Sequence, residues 1–298
     1  MKKSFLVSLA LLLNIAASAC DVCGCSISNN GTGLLATYKF NTLGMRWYST
    51  PFQQVPEFGD TKDYFYTAEL FFQFHPTERL RLSVFQPIKW HQRQGGEGVN
   101  DADLYGLGDT RLFANYALIK ELRVIGASTL YWEIGAGLQL PIGKYDERIH
   151  MKNLPENFNL SNGSWGYIAQ SNLIYNTLDI GFVWNVLYQH NQPARTDYQF
   201  GNQFSSNWTI FAQKSFTKKW KTIPYLGAYF EQVSADRLYN DKIAHGTGGE
   251  GWFLNGGVNL LFNNFLFGAN YAYPITNNYA EAEMEARPRV AMNLSYIF

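Results

Sequence analysis

From position 42 onward the chain alternates apolar and polar residues at a period of two, in short runs separated by polar or turn-rich segments. Leu43, Met45 and Trp47 share one face, and Gly44, Arg46 and Tyr48 the other. Ala68, Leu70, Phe72 and Phe74 stand against Thr67, Glu69, Phe71 and Gln73, and Leu80, Leu82 and Val84 against Arg81, Ser83 and Phe85. The rhythm returns over 112–118, 132–140, 167–175, 180–188 and near 204–213, 222–232, 252–262 and 265–274. Its last run is 289–298, where Val290, Met292, Leu294, Tyr296 and Phe298 alternate with Arg289, Ala291, Asn293 and Ser295, and Ile297 is the exception. A period of two belongs to a strand with one apolar and one wet face. Roughly ten residues tilted at about 45° cross the hydrocarbon core of a bilayer. The pattern predicts about twelve strands.

The joints between these runs carry a second signal. Short ones fall near 75–79, 176–177, 214–219 and 263–264, with 119–129 a longer exception. Between them lie long polar joints at 51–63, 91–108, 142–166, 190–203, 233–250 and 275–287. Short turns on one side and long loops on the other are the asymmetry of an outer-membrane barrel, and a soluble sandwich would not alternate so regularly. The expected fold is all-β: a transmembrane antiparallel up-and-down barrel over 42–298, with the short turns and both termini periplasmic. The final strand resembles the closing strands of bacterial outer-membrane barrels, which commonly end in an aromatic residue. That resemblance implies two partners, outer-membrane lipid and a barrel-assembly machinery that reads the strand ending at Phe298.

Composition agrees. Aromatics make up 16% of the 298 residues and charged residues only 16%, against roughly 25% in soluble domains. Basic and acidic residues balance at 24 each, which gives no footing for nucleic acid. The first nineteen residues read as a cleaved signal peptide: Lys2 and Lys3, then an apolar run, then Ala17-Ser18-Ala19. Residues 20–41 form a cysteine-containing segment and linker. Its Cys20, Cys23 and Cys25 are the chain's only cysteines, and three readings stay open. Cys20 carries a lipid anchor, or two of the three form a disulfide in the oxidising periplasm, or the trio holds a soft metal such as Cu(I) or Zn(II).

If the apolar alternates face lipid, the others line a lumen. The candidates are Glu69, Gln73, Arg81, Lys89, Arg111, Asn115, Glu133, Gln139, Asp179, Asn185, Gln189, Glu231, Arg289 and Asn293, with Phe71, Phe85, Tyr225 and Tyr229 narrowing the bore. Charges of both signs are present and neither dominates. Paired charges also fill small barrels simply for stability, so each residue has a structural reading beside the functional one. A mixed aromatic and polar lining suits a small, weakly polar or aromatic solute better than bulk ion flow, and the outer loops are expected to fold in as a selectivity plug.

Other chemistry is thinner. His91, His150, His190 and His245 fall at or within the long loops, where a metal site with Met151 and Glu250 is conceivable. The nearest nucleophile–base pairing is Ser205 or Ser206 with His190, in no recognisable sequence context. The chain is therefore read as a non-enzyme, and no cofactor is expected.

Two motifs carry a family resemblance. Gly106-Leu107-Gly108-Asp109-Thr110-Arg111-Leu112 opens a strand, and Gly137-Leu138-Gln139-Leu140-Pro141-Ile142-Gly143 closes one. They resemble paired motifs of the outer-membrane barrel family linked by name to the meta-cleavage pathway of phenol degradation. The cysteine-rich start is similar to that of related Bacteroidetes barrels. The resemblance implies a transporter of hydrophobic compounds in the outer membrane of a Gram-negative bacterium. The alternative is a binding or assembly barrel with a metal- or redox-active cysteine segment, and a membrane-embedded lipid hydrolase ranks below both. Physically, the glycines permit a tight bend at the rim, where Asp109 can accept backbone N–H bonds. Asp109 is read as structural first and as a solute contact second.

Overall fold

The computed structural model describes residues 40–298 except 96–99, 125, 153, 195–197, 218 and 239–241. The leader expected over 1–19 and the three cysteines lie outside those residues. Twelve barrel strands follow: β1 (Thr42–Gln54), β2 (Lys62–Phe74), β3 (Leu80–Gln94), β4 in two pieces (Ala102–Leu107 and Thr110–Arg123), β5 (Thr129–Leu140) and β6 (Gly166–Asn176). Then come β7 (Ile180–Asn191), β8 (Gln203–Ala212), β9 (Trp220–Val233), β10 (Gly249–Phe262), β11 (Phe265–Tyr279) and β12 in two pieces (Met284–Ala286 and Arg289–Ile297). Each strand pairs antiparallel with the next, and β12 returns to β1 from Thr42↔Ile297 to Ser49↔Val290, closing the sheet. Closure pairs every strand edge, the condition a sheet must meet in hydrocarbon, where no water can satisfy a free N–H or C=O.

The alternation read from the sequence is the in–out alternation of the wall. Leu43, Met45, Leu70, Phe72, Leu82, Val84, Ile134, Leu138, Met292 and Leu294 are exposed on the outer face, while Arg46, Glu69, Arg81, Glu133 and Asn293 are buried inside. So much exposed apolar surface suits lipid, not water. Aromatic clusters ring both ends of this band. At the loop end Trp47 and Trp90 flank Tyr66, with centroids 6.1 and 5.9 Å away, and Trp208 stacks on Trp252 at 5.6 Å. At the turn end Phe298 stacks on Phe72 at 6.4 Å and Trp220 lies 4.4 Å from Phe262. Eight residues of β2 separate Tyr66 from Phe74, about 20 Å along the barrel axis at the usual strand rise and tilt.

Two expectations are corrected. The joint at 119–129 is not long: β4 runs to Arg123, with register shifts between Ala117 and Ile119 and between Ile119 and Leu122, and the turn itself is short. The hairpin extends past the bulges, which hid its period of two. Asp179 is not a lumen residue. It lies exposed in the β6–β7 turn, which the Thr177 hydroxyl fastens by donating to the Ile180 carbonyl at 2.6 Å. The strand begins one residue later, so its alternation does not reach Asp179.

Candidate functional site

The lumen has a polar waist and an apolar cap. Waist residues come from alternate positions of β1 to β7, and their side chains must meet because the wall is curved and closed. Glu69 accepts from Arg46 with one oxygen and from Arg111 with the other. Glu133 accepts from Arg81, from Asn115 at 3.0 Å, from Asn172 at 2.7 Å and from the Tyr131 hydroxyl at 2.8 Å. Gln170 donates to Asn115 at 2.7 Å, and Asn185, half-buried, donates to Asn172 at the same distance. Both glutamates are 0% exposed. A buried ionised carboxylate is tolerable only with this degree of satisfaction.

A second cluster sits across the lumen on β9, β11 and β12. Arg289 forks onto Glu231 at 2.8 and 2.7 Å, and the same carboxylate accepts from the hydroxyls of Tyr229 and Tyr279. The Arg289 guanidinium lies 4.1 Å from the Phe253 ring centre and 5.5 Å from that of Phe52. This cluster joins the waist to the cap.

The cap is built by the loop 141–165, which turns inward. Ile149, Leu154, Phe158 and Leu160 are buried, and the first three pack with Phe52 and Phe65 of β1 and β2 and with Tyr229, Phe253 and Tyr279 of β9 to β11. Phe158 is 5.9 Å from Phe65, and the His91 ring donates through Nδ1 to the Phe158 carbonyl at 2.9 Å. Asp109 anchors the loop. Its carboxylate accepts the backbone N–H of Gly143 at 3.2 Å, that of Asn162 at 2.9 Å and the Gln139 amide at 3.0 Å. Asp109 thus bonds both ends of the loop to the break between the two pieces of β4. Gly143 has to be glycine here, since a Cβ would come 2.7 Å from the Leu107 carbonyl oxygen. Both family-like motifs therefore meet at one joint. Outside the wall, burial raises the Glu156 pKa, against hydrogen bonds from Tyr145, His150 and Asn159 that lower it.

Three cavities follow the lumen. One of about 30 Å³ is bounded by Arg46, Arg81, Arg111, Ser83 and Phe85, and another of about 30 Å³ by Arg46, Arg289, Tyr48 and Tyr229. The third, of about 310 Å³, opens at the cap among Phe52, Phe65, Leu154 and Met284, with Asp63 and Arg93 on one side. Those two charges form a bidentate pair at 2.7 and 2.5 Å.

Of the residues expected in the lumen, Gln73, Lys89 and Asn293 are buried inside, and Gln189 donates to Gln139 at 2.9 Å. Ser206 is engaged by the Trp184 indole at 3.0 Å. His150 and His245 lie exposed, each beside one glutamate, at 3.6 Å from Glu156 and 3.1 Å from Glu281. Among the described residues no group of three or more His, Cys, Asp or Glu could hold a metal. Arg46, on the wet face but not among the candidates, proves central because it borders both small cavities. Outer loops folded in as a plug were expected, but the loop 141–165 was not singled out, although apolar residues scattered through a polar loop were its signal.

The family model described as "Putative MetA-pathway of phenol degradation" matches residues 64–281. Among solved structures, the chain is similar to the COG4313 outer membrane channel from Pseudomonas putida F1, at 14% identity and TM-score 0.64, over 87% of this chain and 96% of that one. It is similar also to the beta domain of the Bordetella autotransporter BrkA, at 11% identity and TM-score 0.52, over 87% of this chain and 100% of that one. No curated protein matches the chain. At these identities the structural likenesses speak to the barrel fold.

Proposed function

Since the chain belongs to that family, we propose that it is a passive outer-membrane channel for a small solute of apolar or aromatic character. The observation that carries this reading is the two-part lumen, a cavity of about 310 Å³ bordered by Phe52 and Phe65 above a waist whose cavities are only about 30 Å³ each. The upper cavity is within the size range of small-molecule pockets and offers the Phe52 and Phe65 rings, with the Asp63–Arg93 pair and Glu283 for orientation. The waist is too tightly filled for bulk flow. A solute enters at the loop end, displaces the cap as the 141–165 loop yields, and passes the polar residues one molecule at a time down its gradient. The channel named among the similar structures supports this, as does the family's link to phenol degradation. In this reading the short turns and both termini face the periplasm, and the strand ending at Phe298 is what the assembly machinery recognises.

Liposome swelling tests it. Benzamide should enter protein-containing liposomes faster than protein-free ones, with a sugar such as arabinose lagging well behind. Equal entry of both solutes, or no rate above the protein-free control, overturns the proposal.

A further inference from the structure

The donors and acceptors of the waist are not balanced. Both oxygens of Glu69 are taken by guanidinium groups, both of Glu133 by donors from four residues, and both of Glu231 by Arg289 and two tyrosines. These carboxylates face the lumen already saturated. Arg46 and Arg289 do not. Arg46 is 4% exposed, yet its Nε and Nη1 have no partner, nor has the Nε of Arg289. Arg46 borders both small cavities, with Arg81, Arg111 and Ser83 around one and Arg289 on the other. The Ser83 hydroxyl is likewise unpartnered. Four arginines thus stand against three glutamates, and the unpartnered groups on Arg46 and Arg289 are donors.

From this geometry we infer that the waist is a binding site for one small anion, chloride or a carboxylate, held by Arg46 and flanked by Arg81, Arg111 and Arg289. A cavity of about 30 Å³ has room for such a group, since roughly 10–15 Å³ suffices for a water-sized particle. In a water-poor enclosure a spare guanidinium N–H binds an anion strongly and repels cations. The Phe85 ring beside the arginines adds an apolar wall. The preferred solute is then an aromatic carboxylate, its ring matched to the cap and its charge to the waist. The transport half of this inference rests on the channel reading, but the binding half does not.

The experiment uses the full chain in planar bilayers and in detergent. Under a KCl gradient the reversal potential should show chloride preference, and benzoate should block the chloride current saturably where benzylammonium does not. Arg46→Gln should weaken benzoate block about tenfold or more, the worth of a charge-assisted hydrogen bond, while Arg46→Lys retains part of it. Cation preference, or equal block by both aromatic ions, overturns the site. If the protein passes no current, the channel reading fails, and calorimetry with benzoate on the detergent-solubilised protein decides the site alone. One saturable binding event lost in Arg46→Gln upholds it, and no binding to the unsubstituted protein overturns it.

Discussion

At the loop end the lumen is filled by apolar side chains that a connecting loop carries in. At the waist it is filled by charged side chains that the strands themselves supply. The two fillings differ in what it takes to move them. Phe158 and Leu154 are held by burial and by the hydrogen bonds of Asp109, and the loop can lift as a unit without breaking any strand pairing. Glu133 is held by groups on β3 to β6, so the waist side chains part for a solute only by exchanging hydrogen bonds anchored in the wall. A narrow conduit can thus keep one rigid selective section and one movable cover.

The sharpest way to break this contrast is Glu133→Ala. It removes the carboxylate that buried Arg81 pairs with, at a cost of about 3–5 kcal/mol. The urea midpoint of the folded, heat-modifiable form should drop markedly, and an unchanged midpoint would mean the waist contributes nothing to the wall. Phe158→Ala should cost loop docking about 3 kcal/mol through the cavity it leaves, with the barrel's own midpoint little changed. Its signature is higher single-channel conductance. Asp109→Asn removes the charge from the loop's anchor, worth about 1–3 kcal/mol. Trypsin cleavage at Lys144 or Arg148 should accelerate while the barrel stays folded. The smallest effect concerns Glu156, whose pKa is raised by burial when the loop is docked. Docking stability from this group is therefore complete below the ordinary glutamate value and is lost as pH rises through the raised one. Open probability should climb with pH across that acidic window, and Glu156→Gln should flatten the climb.

The wall was legible in the sequence because lipid imposes one rule on every strand. Leu70, Phe72 and Phe74 face outward for the same reason as Leu294 and Tyr296. The interior was legible only as a set of residues. Nothing in the spacing of Arg81 and Glu133, or of Glu231 and Arg289, pairs them, since those contacts depend on curvature and register across several strands. Asp109 gave its chemistry away through the glycines around it, but not its partners at Gly143 and Asn162. A plug of outer loops was expected, but the 141–165 loop was not picked out as its source, because period-two reasoning is silent about a segment that buries apolar residues without forming a strand. Asp179 was misplaced by a shift of one residue at a strand start.

The seam between Arg289–Ile297 and Thr42–Ser49 has a consequence for biogenesis. Before it is zipped, the molecule carries two raw edges, each ready to recruit strands from any neighbour. The seam's halves lie at opposite extremes of the described sequence, so no partial translation product can make it. The chain stays unsealed until both halves meet, and its edges are most exposed just before they do.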